Sequence, residues 1–527
     1  MPHRLALGLL LLASLLLPAC RGSSGSGDAD TLIYGQAEDP ATLDPINTDI
    51  AEAVHVMTNV FDTLVTYDDT TTDIVPALAE SWTTSEDGKT WTFKLRPNVT
   101  FHNGDAFDSA AVKLTFERLL QDKHPLLFDP ARPYKPAFEM IEAIETPDPL
   151  TAVFQLKQPS AILLPNLAMF PASIVSPRAL EESQAGFGDR PVGTGPFQVV
   201  KWSRDQQLLL EAFDDHWRGP PKTKRLVFVP VKESATRAQR LERGEIHIAE
   251  GLAPTELERL SSLPQVNVAE QTGMNVAYLS LQTEKPPLNH AKVRRAIYQA
   301  IDKNKLVEIG YAGHAEPAVS MVPPSMWGHD DALKGHPYDP AQARALLEEA
   351  AKEHGFELPL RLNLSVMNQA RPYLPQPLPV AGYLRDALGE IGIRVNIVGR
   401  DVNQHFEHLE RGEHELAIAG WNSDNSDPDN FLYTLLDPDN IAERGSNLGR
   451  WRHERYHELM LAGRQETEPD KRLPIYHEAQ QIVLDEAPVV PLVHTKLRTA
   501  MSSRLRGYEL HPTGMVRLRQ AHFEVAP

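Results

Sequence analysis

Residues 338–398 constrain the fold more than any other stretch, because they spell helix, strand, helix and strand in turn. Asp339 fits a helix N-cap, Pro340 the first helical position and Gly355 the stop, with Leu346, Leu347 and Ala350 as the buried stripe. The apolar patterning predicts a strand over 360–366, a helix over 380–391 and a strand over 393–398. Strands separated by helices pair through crossovers, so the class expected is α/β with at least one partly parallel sheet. The second half of the chain, to about Val493, reads as one large α/β domain.

A chain of 527 residues makes three or four domain-sized units and can bury a large core without covalent staples. The one cysteine, Cys20, has no partner for an intrachain disulfide. It also lies in a leader, which excludes thiol catalysis and cysteine–zinc sites from everything after it. The net charge of −19 argues against nucleic acid, whose phosphates require Lys/Arg patches, and suits cationic partners.

Residues 1–20 read as a targeting segment: Arg4 and the amino terminus are positive, and 5–17 is apolar but short for a membrane span. It ends Leu17-Pro18-Ala19-Cys20, which resembles a bacterial lipoprotein signal, although Pro18 replaces the usual small residue. The resemblance implies lipidation of Cys20 as the first mature residue; ordinary secretion with nearby cleavage is the other reading. Residues 21–30 form a flexible tether, and no later run is long and apolar enough to cross a bilayer. The expectation is an exported protein of the periplasm or cell envelope, held to a membrane by its lipid.

Beyond the tether, 31–37 reads as a strand and 49–60 as a helix. Asp87-Gly88 and Asn103-Gly104 signal turns, and Trp91, Phe93 and Leu95 alternate with Thr92 and Lys94 as a half-buried strand. Ser109 is expected to cap a helix through Val112, Phe116 and Leu119. Residues 192–197, VGTGPF, lack a third glycine at dinucleotide spacing, so they predict a tight turn into a strand and not a phosphate cradle. Near the end of the large domain, a buried strand over 416–419 delivers GWNSDNSDPDNF, 420–431, to a turn. That places Asp424, Asp427 and Asp429 beside Trp421 and Phe431. For such a loop alone, a solvated acidic turn is the plainer reading.

Many of these segments fall in a familiar order: Ala77-Leu78-Ala79-Glu80-Ser81-Trp82, Asp87-Gly88-Lys89, Phe93-Lys94-Leu95-Arg96, VGTGPF, Arg294-Arg295-Ala296-Ile297, Ala300-Ile301-Asp302, Tyr338-Asp339-Pro340, Ile391-Gly392-Ile393, and Ala487-Pro488 with Pro491-Leu492. The chain after residue 30 thus resembles the peptide-binding solute-binding proteins of bacterial ABC importers, and 420–431 resembles their dipeptide-binding branch. The resemblance implies a two-lobed α/β fold of the periplasmic-binding-protein kind (type II, cluster C) with an extra subdomain on the first lobe. Lobe I would comprise 31–72, 192–273 and 494–527, the subdomain 73–191, and lobe II 274–493. It implies a monomeric binder without catalysis or cofactor, whose partners are a short peptide, foremost a dipeptide, and the transmembrane subunits of a permease.

In such binders the aspartate at the place of Asp424 faces the ligand's α-ammonium. The arginine at the place of Arg371, within MNQARPYLP (367–375), holds its carboxylate. Charge-assisted bonds and a two-pronged guanidinium suit those roles. Together they would form a ruler, since extended residues advance roughly 3.3–3.6 Å each. For Arg371 a surface arginine before a proline turn is the plainer alternative. Trp421, Tyr373 and Phe431 would wall side-chain pockets, with core packing equally open for Phe431, while Asp427 and Asp429 read as turn and capping residues. One enzyme-like motif stands apart: HERYH, 453–457, matches H-E-x-x-H. On a helix, His453 and His457 would share a face and hold zinc, with Glu454 as base and Glu478 or Glu486 as third ligand. Arg455 is out of keeping with that class. His405, His408 and His414 read as surface residues. The alternatives to a peptide importer are therefore a zinc metallopeptidase, a same-fold binder of haem, nickel complex, antimicrobial peptide or sugar, and an extracytoplasmic peptide sensor.

Overall fold

The computed structural model describes residues 30–441 and 445–524; the leader, Cys20 and nearly all of the tether lie outside the described residues. One long strand, Val489–Ser502, carries the architecture. Its first part pairs antiparallel with Asn275–Leu281, from Ser280↔Val489 to Ala277↔Val493. Its later part pairs with the preceding strand, Val266–Thr272, from Thr272↔Lys496 to Val266↔Ser502. The change of partner falls at 273–275 on one side and 493–496 on the other. There the buried Asn275 amide accepts from the Thr495 N–H at 2.7 Å and donates to the Thr495 carbonyl at 3.0 Å.

From this strand a twelve-stranded sheet spreads both ways. On one flank lie Asn275–Leu281, Leu416–Asn422, Leu360–Met367 and Ile393–Arg400. The last two run parallel, from Leu360↔Ile393 to Met367↔Arg400, joined by the helix Pro377–Glu390, as the alternation requires. Asp339 caps the helix Pro340–His354 through the Gln342 N–H, and Gly355 ends it in the left-handed conformation. On the other flank lie Ile248–Ala249, Thr31–Gln36, Arg225–Pro230, Gln207–Ala212 and Phe197–Ser203, with Thr31–Gln36 parallel to Arg225–Pro230.

A separate four-stranded antiparallel sheet, in the order Ala79–Thr84, Thr90–Leu95, Thr151–Leu156, Ile141–Asp148, has its own core. Phe154 meets Phe93 and Phe116 edge-on at 5.3 and 5.2 Å. The helix Ser109–Leu120 packs into this core, but Ser109 does not cap it. Asp108 accepts from the Ala110 and Ala111 N–H groups, and the Ser109 hydroxyl donates to the Asp148 carbonyl. An ionised carboxylate answers the positive helix end better than a hydroxyl, which is left free to tie the helix to the sheet.

VGTGPF turns into the strand Phe197–Ser203, as the spacing predicts. A Cβ on Gly195 would sit 2.5 Å from the Val60 carbonyl carbon and 2.7 Å from the Phe61 nitrogen. The turn therefore packs its backbone directly on the end of the helix Ala51–Val60. Gly195→Ala is expected to lower unfolding free energy by about 1–3 kcal/mol in urea titration, because backbone cannot step aside as a side chain can. An unchanged midpoint would show that the Val60–Phe61 junction yields.

Candidate functional site

The acidic loop follows the strand Leu416–Asn422, and its three carboxylates have three different environments. Asp427 is wholly buried. Its oxygens accept from both Arg472 terminal nitrogens at 2.7 and 2.8 Å and from the Tyr476 hydroxyl at 3.2 Å. It also accepts from the Asp429 N–H at 3.1 Å, a turn bond as expected, but the helix Asp429–Leu436 has no side-chain cap: Asp427 is committed to an ion pair instead. Asp429 is buried with one oxygen unbonded, and the nearest cation is Arg464 at 3.4 Å. Burial pushes its carboxyl up to about 7, with Arg464 opposing and Asp427 adding to the rise.

Asp424 alone of the three is exposed, yet it lies in a recess facing another part of the molecule. The Tyr134 hydroxyl donates to its carboxylate at 3.3 Å from 290 positions away. Tyr134 precedes the short helix Lys135–Phe138, and its ring stands edge-on to Phe170 at 5.2 Å. Desolvation by the surrounding protein raises the Asp424 carboxyl; bonds from Asn430 and Tyr134 oppose this, and the Asp49 charge adds to it. Asp49 is thus the charged neighbour that acts on Asp424.

Asn430 sets the loop's shape. Its side-chain oxygen accepts from Trp421 Nε1 at 2.7 Å, the Ser423 hydroxyl at 3.1 Å and the Asp424 N–H at 3.2 Å. Trp421 is thus half-buried with its indole fixed, while Phe431 is completely buried in the core. Arg371 is exposed at a tight turn closed by two backbone bonds with Leu374, 3.0 and 2.8 Å. Tyr373 inside that turn is buried, and burial raises its hydroxyl while the adjacent Arg371 guanidinium lowers it. A Cβ on Gly420 would lie 2.2 Å from the Tyr373 ring, so the ring rests on bare backbone. Arg371 thus contacts Tyr373, and Tyr373 contacts Gly420, which Trp421 and then Asp424 follow in the chain.

The zinc motif does not assemble. His453 is not on the helix Glu454–Gln465 but caps it, its Nδ1 accepting from the Tyr456 N–H at 3.1 Å. His457 Nδ1 lies 3.0 Å from Asp437, and Arg455 holds Glu478 at 2.8 and 3.1 Å. Among the described residues, Asp437, Asp439 and His457 bring ligand atoms within 4.8 Å of one another, a set sharing only His457 with the expected one. His405 and His414 are also not at the surface: they are 0 % and 2 % exposed, bonded to Ser365 at 3.1 Å and Ser280 at 3.2 Å. A cavity of about 340 Å³ is walled in part by Asp62, His216, Arg218, Arg517, Arg519 and Phe170, the ring on which Tyr134 stands.

Sequence reasoning missed Asn430, Tyr134 and Asp49. Asn430 sits inside the quoted motif and could have been read from its spacing to Trp421. Tyr134 and Asp49 carry no local signal, because only the tertiary fold brings them to Asp424.

A sheet shared between two α/β halves, with a recess between distant segments, defines the two-lobed periplasmic binding proteins of cluster C. The model of the middle region of the bacterial extracellular solute-binding proteins, family 5, matches residues 73–443, and the chain belongs to that family. It is therefore a transport binder and not an enzyme. It is 31% identical to the dipeptide-binding protein of Escherichia coli over 99% of this chain and 97% of that one. It is 32% identical to heme-binding protein A of Haemophilus influenzae over 96% of each. The solved structure of HbpA2 from Haemophilus parasuis superposes with a TM-score of 0.88 at 28% identity, covering 94% of this chain and all of that one.

The Asp429 shift gives a signed expectation. Its folded-state pKa of about 7 lies above that of an unfolded aspartate, so the fold binds more protons in between. Stability from this group therefore falls as pH rises from about 4 to 7. Asp429→Asn should raise the thermal midpoint at pH 8 and remove that component of the slope. Equal gains at pH 5 and pH 8 would show that the carboxyl does not titrate there.

Proposed function

We propose that the protein is the extracytoplasmic solute-binding component of an ABC importer, capturing short peptides, foremost dipeptides, between its lobes for a membrane permease. The observation that carries this is Asp424: a carboxylate in an acidic recess, facing a segment 290 residues away, with only a neutral hydroxyl opposite it. A peptide α-ammonium would convert that contact into a charge-assisted one. Arg371, in contact with Tyr373, is the partner for the ligand carboxylate, and Trp421 and Tyr373 bound the side-chain space. The similarity to a dipeptide-binding protein along nearly the whole chain supports this cargo.

In this reading the two strand passages at 273–275 and 493–496 are the hinge between lobe I with its subdomain (31–72, 73–191, 192–273, 494–527) and lobe II (274–493). A cargo favours closure only by binding the closed form better, and bridging both lobes supplies that difference. Export and a lipid anchor at Cys20 complete the proposal, with 21–30 as tether. A porphyrin cargo is the second reading, because a relative of equal similarity is named a heme-binding protein. The acidic recess disfavours it, since the propionates of haem would meet Asp424 and Asp49.

Asp424→Ala should abolish the thermal stabilisation that a dipeptide such as Ala-Phe gives the wild type; retained stabilisation would remove Asp424 from the site. For the wild type, affinity should fall with decreasing pH, starting above the ordinary carboxylate range, because the raised Asp424 carboxyl loses its charge early. Arg371→Ala should weaken dipeptides at least ten-fold and longer peptides less, measured by calorimetry; equal losses would discard the ruler.

A further inference from the structure

The acidic loop touches the facing segment at a second point that involves no charge. Asn425 Nδ2 donates to Asn166 Oδ1 at 2.7 Å, and the two residues, 259 positions apart, are 7 % and 2 % exposed. The other two side-chain polar atoms of this amide pair are also bonded. Asn425 Oδ1 accepts from the Asp427 N–H at 3.0 Å, and Asn166 Nδ2 donates to the Ala137 carbonyl at 2.7 Å. Ala137 belongs to the helix Lys135–Phe138, which Tyr134 precedes. The chain of contacts thus closes into a loop: Asn425 to Asn166, Asn166 to the Tyr134 helix, Tyr134 to Asp424, and Asp424 to Asn425 along the backbone. A few residues from Asn166, the Ala161 N–H donates to the Arg464 carbonyl at 2.8 Å, a backbone bond between the same two faces.

We propose that Asn166 and Asn425 are a clasp: a cargo-independent bond that holds the lobes together beside the site and keeps Tyr134 in register with Asp424. They are positioning residues, since neither faces the recess. The inference rests on the proposed closure of the lobes and not on the identity of the cargo. A neutral amide pair suits this task. It is directional, so it fixes register, and it carries no charge to compete with the cargo for Asp424. Because the closed state would be populated before cargo arrives, less binding free energy is spent on closure, and apparent affinity rises by the same factor.

The test uses the full mature chain without cargo. Amide-resolved hydrogen exchange at Ala161 reports whether the two faces are in contact. In the wild type Ala161 should be protected. Asn425→Ala, far from Ala161 in sequence, and Asn166→Ala should each speed its exchange at least ten-fold with the thermal midpoint nearly kept. The double variant should exchange no faster than the singles, because one bond is lost only once. Unprotected Ala161 in the wild type, unchanged protection in Asn425→Ala, or additive effects in the double variant would each overturn the clasp. Failure of the peptide reading would show separately, as absence of Ala-Phe stabilisation in the wild type with the exchange pattern intact.

Discussion

The Asp427–Arg472 ion pair is the contact on which the acidic loop depends. Two parallel bonds and the Tyr476 hydroxyl satisfy a carboxylate with no solvent access. Arg472 is committed as fully: Nε donates to the Gly463 carbonyl at 2.7 Å, and its guanidinium lies 4.9 Å from the Trp327 ring. Such a pair contributes little net stability compared with apolar packing, but losing one partner strands the other charge at a cost of several kcal/mol. Its value here is positional. With Asp427 immobile, Asp424 and Asn425, three and two residues earlier, can project in fixed directions. An exposed acid presented accurately needs a buried acid held tightly beside it.

That anchoring matters because the sheet gives the two halves of the molecule freedom elsewhere. Adjacent strands cross between them at 273–275 and 493–496, and the Asn275–Thr495 bonds stitch the crossing. Each half has its own buried cluster, so the proposed hinge rotation there would leave both cores whole. Contacts on the far side of the recess therefore decide how often the halves meet. Tyr134 to Asp424, Asn166 to Asn425 and Ala161 to Arg464 are three such contacts, only the first of which a cargo would replace.

Much of this was legible in the sequence where physics is local. The helix from Pro340 to His354 announced itself by an aspartate, a proline and a glycine, each needed for its backbone geometry. The parallel pair around Leu364 and Ile397 followed from period and crossover length. Local reading failed where two local solutions compete. Asp108 took the cap offered to Ser109, and His453 became a cap instead of a ligand, because a helix that begins one residue later puts the two histidines of H-E-x-x-H out of register. Burial was the other blind spot. A histidine in a polar stretch reads as exposed, but His405 and His414 each find a serine hydroxyl inside. Asp427 reads as a turn residue because its arginine is 45 positions away. Asp424 and Arg371 were singled out through resemblance alone, whereas the contacts of Tyr134 and Asp49 with Asp424 had to await the fold.

The electrostatics around Asp424 are what the proposed peptide reading rests on. The Asp49 charge adds to the rise of the Asp424 carboxyl, and Asn430 and the phenol of Tyr134 both bond it, the phenol's own ionisation being suppressed by burial and by both acids. Tyr134 therefore remains a neutral donor. A cation entering the recess gains from both carboxylates while displacing a neutral bond, and an anion loses twice. On the proposed reading, preference for an ammonium would come from two neighbouring acids and not from a shaped pocket. Arg371 lies on Tyr373, whose ring is seated on Gly420, four residues before Asp424. Under the proposed reading, a cargo charged at both ends would answer Asp424 with one end and Arg371 with the other.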